Sequence, residues 1–366
     1  LQVEHPVTEM VYGLDLVEWM IRIAAGERLA IKQGDVVPTG WAVEARLYAE
    51  DPERGFLPSI GQLTRYREPV GDGVRVDSGV AEGGAISMFY DPMISKLIAF
   101  APTRPAAIAR LHLALDHYEI DGIASNRQFL SAVLENDSFQ EGTITTGFID
   151  AEFDGGFVAA LPEGKTRAQL LALGTAIVAG QMAERSHTLS DRDFVTIDQE
   201  GNRAETSWQQ DSNGQISVVV DGRKQNIFGR VTVPISLFDG TINEVPLAIQ
   251  VRHSGHHVSL SIGAARLSLS ILPKRFAAML DYMPAASNGS GADEICAPMP
   301  GQLTKLLVAE GDNVLPGQDV AIIEAMKMEN VLKSEAKGVV GKVHVAEGDN
   351  LNVDDLIISL DLADQS

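Results

Sequence analysis

The sequence predicts an α+β multidomain chain with a small all-β domain at its C-terminal end. Three observations predict this class. Residues 1–148 mix helical and strand periodicities; residues 149–285 hold one helix apolar on nearly every side, then short strands; and a short sequence recurs after a Gly/Ser-rich linker.

In the first region, Asp15 and Glu18 form a capping-box start, Val17, Met20, Ile21 and Ala24 follow helical spacing, and Gly26 supplies a stop. Residues 41–48 alternate. Trp41, Val43, Ala45 and Leu47 point one way, and Glu44, Arg46 and Tyr48 point the other. Thr103 opens a helix with Ile108, Leu111 and Leu115 inside. Ser125 and Gln128 suggest a second capping box ahead of Phe129, Leu130, Val133 and Leu134.

The middle region predicts a helix from Thr166 to Glu184. A helix apolar all round is normally enclosed by protein. Strands are expected at Ile216–Val220, Val231–Phe238, Ala248–Val251, Val258–Ile262 and Arg266–Leu272, with turns at Asp221-Gly222 and Asp239-Gly240. An antiparallel barrel wrapped round the helix accounts for both features.

Residues 286–294 read as a flexible linker. Beyond them, Ala309-Glu310-Gly311-Asp312-Asn313 recurs 37 residues on (309 to 346) as Ala346-Glu347-Gly348-Asp349-Asn350. Two similar halves predict a flattened β-sandwich with internal pseudo-two-fold symmetry over 295–366. Lys327, in Ala325-Met326-Lys327-Met328, then falls at a hairpin tip between the halves. An exposed tip amine is an accessible point for a covalently attached group, and two methionines flanking it are odd as plain turn chemistry.

Composition narrows the function classes. The formal charge is −21 over 366 residues, so neither a nucleic-acid nor an anionic-membrane partner is expected. The longest apolar run, Leu170 to Gly180, falls short of the ~20 residues a membrane span needs. A single cysteine, Cys296, can form no internal disulfide and fits a reducing compartment. With no signal or transit peptide evident, a cytoplasmic location is expected, or the mitochondrial matrix in a eukaryote. His253, His256 and His257 read as surface turn histidines, and no metal site is expected within the chain. The chain opens mid-pattern at Leu1-Gln2-Val3-Glu4-His5-Pro6, as the C-terminal part of a longer polypeptide would.

Ala-Met-Lys-Met resembles the attachment sequence of biotin carboxyl carrier domains. Ala297-Pro298-Met299-Pro300-Gly301 and the Glu-Gly-Asp repeats extend the likeness across the domain. A lipoyl domain shares the fold, but its lysine usually follows Asp and precedes Ala. The resemblance implies covalent biotin on Lys327, attached by a biotin protein ligase. Upstream, Leu1 to Glu9, Val43-Glu44-Ala45-Arg46, Ala49-Glu50-Asp51-Pro52, Phe56-Leu57-Pro58-Ser59 and Tyr90 to Leu97 resemble the C-terminal part of biotin carboxylase, an ATP-grasp enzyme. That likeness implies Glu4 as the base toward bicarbonate, Gln2 and the Val3 backbone as bicarbonate contacts, and Arg46 as the donor to the biotin ureido oxygen. Read from the residues alone, Glu4 and Arg46 are better taken as a strand-edge ion pair. The elements that bind ATP and Mg2+ lie upstream of Leu1 in the family, so this stretch alone is not expected to hydrolyse ATP.

The middle region resembles the domain that docks acyl-CoA carboxylase α subunits onto the carboxyltransferase β subunit; Phe148-Ile149-Asp150 to Phe157 and Leu269 to Leu272 are most similar to propionyl-CoA carboxylase. The whole chain is thus similar to the biotin-carrying α subunit of an acyl-CoA carboxylase, a ligase of hetero-oligomeric assembly. The resemblance implies ATP- and bicarbonate-dependent carboxylation of biotin, then carboxyl transfer to propionyl-CoA to give methylmalonyl-CoA. 3-Methylcrotonyl-CoA and acetyl-CoA stay open as acyl substrates, and so does a non-catalytic carrier and docking role. Asp72 stands where dimerising biotin carboxylases carry an aromatic residue, which disfavours a carboxylase-to-carboxylase dimer.

Overall fold

The computed structural model describes residues 1–87, 89–186, 192–277, 279, 294–315, 317–325, 328–334 and 336–362. The chain builds an N-terminal lobe, a closed barrel and a C-terminal sandwich. Most of the linker expected at 286–294 lies outside the described residues, and Glu294 already belongs to a strand.

The lobe opens with α1 (His5–Tyr12) and α2 (Leu16–Ala24). Asp15 Oδ1 accepts the Glu18 amide at 2.7 Å, so half of the expected capping box forms; the Glu18 side chain does not return to Asp15 but accepts from Arg22 Nε at 2.9 Å. A three-stranded sheet follows: β1 (Trp41–Tyr48), β2 (Val74–Ser78) and β3 (Met93–Ala101), with β3 central and antiparallel to both. Ala45 and Leu47 on β1 are buried, as the alternation predicts. They pack with Leu97 of β3 and with Ile108, Leu111 and Leu115, spaced along α3 (Arg104–Asp116). Thr103 caps α3 through the Ala106 amide.

The helix α4 (Arg127–Glu135) departs from expectation. The Ser125/Gln128 capping box does not form; Asn126 occupies the cap position and makes no side-chain cap. Its side chain is drawn to β1 instead, where Oδ1 accepts the Tyr48 amide at 2.9 Å and Nδ2 donates to the Arg46 carbonyl at 3.1 Å. Gln128 reaches the Ala264 carbonyl at 3.3 Å. Tertiary partners outbid local capping here.

The helix α5 (Gly164–Ser186) runs through a closed barrel of eight antiparallel strands. These are β4 (Asp193–Asp198), β5 (Arg203–Gln210), β6 (Ile216–Val220), β7 (Arg223–Gly229), β8 (Leu237–Ile242), β9 (Val245–Ser254), β10 (His257–Ile262) and β11 (Ala265–Pro273). Leu170, Leu173, Ala176 and Ile177 of α5 have no solvent exposure. The helix supplies the filling that an eight-stranded barrel otherwise draws from its own inward side chains. A Cβ at Gly174 would sit 3.0 Å from Ile271 Cδ1, so glycine lets the helix pass close to β11.

The strand expected at Val231–Phe238 is displaced. Strand β8 starts at Leu237 and includes Asp239-Gly240; the turn falls at Asn243-Glu244, both at positive φ. Pro234 has no amide for a ladder. Gly240 faces Gly229 across the pair, and a Cβ there would lie 2.2 Å from the Phe228 carbonyl oxygen, so this glycine serves close strand approach rather than a turn. Strands β5 and β7 are too polar to be read from periodicity.

The sandwich comprises β12 (Glu294–Cys296), β13 (Gly301–Leu306), β14 (Asn313–Val314), β15 (Asp319–Ala325), β16 (Met328–Lys333), β17 (Gly338–Val343), β18 (Asn350–Leu351) and β19 (Leu356–Leu362). Two four-stranded sheets run β12-β19-β17-β14 and β16-β15-β13-β18. The sequence repeat maps one sheet onto the other.

Candidate functional site

The first site lies where α1 crosses the lobe's sheet. Glu4 is the residue before α1, and Arg46 lies on β1 beneath it. Arg46 Nη2 is 3.1 Å from Glu4 Oε2, and its Nε is 3.0 Å from Glu44 Oε1. Glu44 and Arg46 are two residues apart, so they share a face of the strand. The Glu44 side chain is only 6% exposed, against 38% for Arg46 and 55% for Glu4. Arg46 is thus gripped from below at Nε, with a guanidinium edge left toward solvent. Its pKa is raised, first by the Glu44 hydrogen bond, so it stays a fixed cation. Glu44 Oε2 is buried and, among the described residues, has no hydrogen-bond partner.

A charged row supports this pair. Lys96 on β3 is the cross-strand partner of Arg46, and Asp77 on β2 is the partner of Lys96. Lys96 Nζ lies 3.3 Å from Asp77 Oδ2 and donates to the Val3 carbonyl at 3.2 Å. Arg75 joins the row to α1, with Nη1 2.7 Å from Glu9 Oε2 and Nε 2.7 Å from Asp77 Oδ1. Burial alone would raise the pKa values of Glu9 and Asp77. The Arg75 bonds, aided by the Leu16 amide at Glu9 and Lys96 at Asp77, hold both carboxyls below their ordinary values.

The predicted residues Gln2, Val3, Glu4 and Arg46 therefore gather at one edge. Gln2 and Val3 are exposed, with the Gln2 carbonyl accepting the His5 amide at 3.3 Å. His5 packs between Glu9 and Lys96. Sequence reasoning gave no role to Glu9, Arg75, Asp77 and Lys96. Their signal is cross-strand register, which a single strand's alternation does not carry.

The second site is the β15–β16 hairpin, paired from Asp319↔Lys333 up to Ala325↔Met328. The two residues between, Met326 and Lys327, lie outside the described residues. What supports the hairpin is described. Glu310 Oε1 accepts the Val343 amide at 3.1 Å, while Glu347 Oε1 accepts the Leu306 amide at 2.9 Å. Likewise Gly311 N donates to the Val340 carbonyl and Gly348 N to the Leu303 carbonyl, at 2.8 and 2.7 Å. Each half's Glu-Gly-Asp segment therefore caps a strand of the other half, and this exchange explains why the sequence recurs. Among the described residues, no group of three His, Cys, Asp or Glu could hold a metal ion. His256 and His257 sit at the β9–β10 turn with ring centroids 4.0 Å apart. No helix of the described residues is long and apolar enough to cross a membrane.

Family models match four stretches in order. The carbamoyl-phosphate synthase L chain ATP-binding domain matches residues 1–32 and the biotin carboxylase C-terminal domain 44–151. The propionyl-coenzyme A carboxylase BT domain matches 170–285 and the biotin-requiring enzyme domain 293–360. The propionyl-CoA carboxylase alpha chain of Ruegeria pomeroyi is 41% identical over 99% of this chain and 57% of its own length. The mitochondrial human protein of the same name is 36% identical over 99% of this chain and 52% of its own. The mitochondrial methylcrotonoyl-CoA carboxylase subunit alpha of Glycine max is 31% identical over 98% and 55%. This chain thus spans about half the length of the curated relatives it matches. Among solved structures, the biotin carboxylase domain of Hydrogenobacter thermophilus 2-oxoglutarate carboxylase aligns at 44% identity over 41% of this chain and 33% of that one, with a TM-score of 0.41. Rhizobium etli pyruvate carboxylase aligns at 34% identity over 49% and 18%, with a TM-score of 0.44.

Proposed function

From a chain that belongs to the alpha chains of biotin-dependent acyl-CoA carboxylases, we infer the biotin-carrying α subunit of a propionyl-CoA carboxylase. The observation that carries this reading is the order of the modules on one chain: a lobe with the Glu4–Arg46–Glu44 constellation, a helix-filled barrel, and a sandwich whose two halves brace one hairpin. In this proposal residues 1–148 belong to the carboxylase, 149–285 dock the carboxyltransferase β subunit, and 295–366 form the carrier.

Lys327 is the attachment point, modified by a biotin protein ligase. Biotin, once attached, supplies a ureido nitrogen able to accept and hand on a carboxyl group, and the whole subunit uses ATP, Mg2+ and bicarbonate for the loading step. The residues of this chain fit their part. Glu4, at the exposed edge, takes the proton from bicarbonate held against Gln2 and the Val3 backbone. Glu44 steadies Arg46 at Nε and Glu4 meets it at Nη2, and the guanidinium so held suits the ureido oxygen as a fixed donor. The carboxyl group then passes to propionyl-CoA on the β subunit. A cytoplasmic location, or the mitochondrial matrix in a eukaryote, goes with this role.

The test is co-expression with a biotin ligase, followed by intact-mass analysis. One biotin per chain is expected on the native sequence and none on Lys327→Arg; biotin persisting on that variant overturns the attachment site. In the complete subunit, Glu4→Gln and Arg46→Gln should each lower biotin carboxylation at least about a hundredfold with the fold retained. Near-normal rates for both return these residues to a surface ion pair. Removal of 149–285 should abolish co-elution with the β subunit, whereas removal of 295–366 should not.

A further inference from the structure

One short turn of the lobe is held more firmly than its length explains. Pro52–Arg54 form a single 3₁₀ turn capped by Asp51, whose Oδ1 accepts the Glu53 amide at 3.2 Å. Gly55 and Phe56 follow at φ +65 and +61. A bulky residue at positive φ is uncommon and persists only where its surroundings fix it. The Phe56 ring is fixed by Phe129 of α4, which it meets edge-on with centroids 4.9 Å apart. Glu53 fixes the other side of the turn. It accepts the Ala159 amide at 2.9 Å and lies 2.5 Å from Arg266 Nη2 on β11.

These ties anchor the residues on either side of Arg54, which is itself exposed. Arg54 Nη2 donates to the Pro298 carbonyl of the sandwich at 3.3 Å. Pro298 lies in the loop between β12 and β13, which is fastened to the sandwich where the Ala297 amide meets the Asp355 carbonyl at 2.8 Å. The loop ends at Gly301, where a Cβ would lie 2.8 Å from the Glu324 carbonyl oxygen and 3.4 Å from Ala325 Cβ. Glu324 and Ala325 are the last residues of β15 before the hairpin tip. The hairpin end of the sandwich is therefore the end that faces Arg54.

Charge fits this pairing. Residues 295–366 carry 12 Asp and Glu against 5 Lys, with no Arg. Arg266 matches the charge of Glu53, which leaves Arg54 as a cation turned toward an acidic domain. The turn also lies on a definite side of the lobe. Ala45 and Leu47 of β1 pack with α3 and with Leu134 of α4, so Glu44 and Arg46, which alternate with them, face the other way. The barrel seats on that same α3 side, through Gly263 and Asp116. A sandwich held at Arg54, beside Arg266 and Phe129, stands on the opposite side of the sheet from Arg46 and Glu4.

We propose that the Pro52–Phe56 turn is a resting dock for the carrier domain. It holds the hairpin end of the sandwich on the side of the lobe away from Arg46 and releases it for loading. Both surfaces belong to one chain, so tethering raises their effective concentration and a weak, exposed contact suffices. That the docked domain carries biotin rests on the function proposed above; the contact itself does not.

NMR relaxation of the 366-residue chain tests the dock. At low salt the sandwich amides should relax with the rotational correlation time of the lobe and barrel. Arg54→Glu sets a carboxylate against the Pro298 carbonyl and an acidic domain; it should lose that shared time, the sandwich then tumbling as a faster, separate unit. Arg54→Lys keeps a cation and a donor and should retain it. Independent tumbling of the native sandwich at low salt, or shared tumbling retained in Arg54→Glu, overturns the dock. Its resting role is read in the complete subunit. There Arg54→Glu should raise the rate of biotin carboxylation at least about twofold, because the fraction of carriers free to load rises. An unchanged or lower rate overturns that role. If Lys327 takes up no biotin in the native chain and the variant alike, the carrier reading fails while the relaxation result still decides the dock.

Discussion

The barrel and the C-terminal sandwich are both β structures with hydrophobic interiors, yet they are completed in opposite ways. The barrel is a meander of eight strands with α5 inside it, so its core depends on one segment that none of its strands resembles. Among the described residues, the sandwich has no such plug. Its two halves cap each other through Glu310 and Glu347, and its core residues come from both sheets. A plug concentrates stability in one element, whereas reciprocal exchange divides it between equivalent positions. Mutations can separate the two designs.

The largest effect should come from charging the plug. Ile177 on α5 is fully buried, so Ile177→Asp places an unpaired carboxylate in the barrel at a cost of about 4 kcal/mol or more. Calorimetry should show the barrel's transition lost or sharply lowered and the sandwich's transition unmoved. Coincident loss of both would mean that the two are not separate cooperative units.

Next is the joint between lobe and barrel. The β10–β11 turn enters a cup on the lobe, where Gly263 N donates to Asp116 Oδ1 at 2.9 Å and Ala264 N to Glu135 Oε1 at 3.0 Å. Gly263 has φ +53, and a Cβ there would lie 2.2 Å from Glu135 Oε1. Glu135 can swing away, but then the Ala264 bond is lost. Gly263→Val should cost about 2 kcal/mol from backbone strain and that bond together. The check is faster hydrogen exchange at Ala264 and Gln250, whose side chain bonds the Asp116 carbonyl, without faster exchange in the sandwich.

The exchange in the sandwich predicts a smaller, matched pair. Glu310→Ala and Glu347→Ala each remove one acceptor from a strand amide and should each cost about 1 kcal/mol. Chemical denaturation of both variants measures it. A difference above about 1 kcal/mol between them would break the claim of equivalent halves.

The same contrast decides what could be read in advance. The sandwich was legible because exchange forces the same short sequence to recur at Ala309 and Ala346. The plug was legible because a helix with no polar face has few places to go. The barrel wall was read only in part. Strands such as Arg203–Gln210 and Arg223–Gly229 carry mostly polar residues, and Gly240 resembles a turn until Gly229 is seen opposite it. At the lobe site, Glu44 and Arg46 were legible as neighbours on one face. Lys96 and Asp77 were not, because what places them beside Arg46 is pairing between strands far apart in sequence. The missed cap at Asn126 has the same origin.

The smallest predicted effect is a pH dependence at the lobe–barrel joint. His112 Nε2 is 2.7 Å from Glu135 Oε1, the acceptor of the Ala264 amide, and its Nδ1 is 3.8 Å from Asp116 Oδ2. Arg127 opposes these carboxylates from α4, while the barrel's turn presents only backbone amides. The Glu135 bond raises the His112 pKa; burial works against it and Asp116 adds to it. A histidine whose folded pKa is raised contributes stability that is complete below its unfolded value, about 6.5, and is lost as pH rises through the folded value. The joint should therefore loosen on going from mildly acidic to mildly alkaline solution, by less than about 1 kcal/mol for a partly exposed pair. His112→Gln keeps a donor near Glu135 but cannot titrate. Its lobe–barrel transition should show a flatter pH profile than the native chain across that window, with the two profiles converging at the alkaline end. Identical slopes in both would assign the pH dependence to other groups and leave Glu135 held by the Ala264 amide alone.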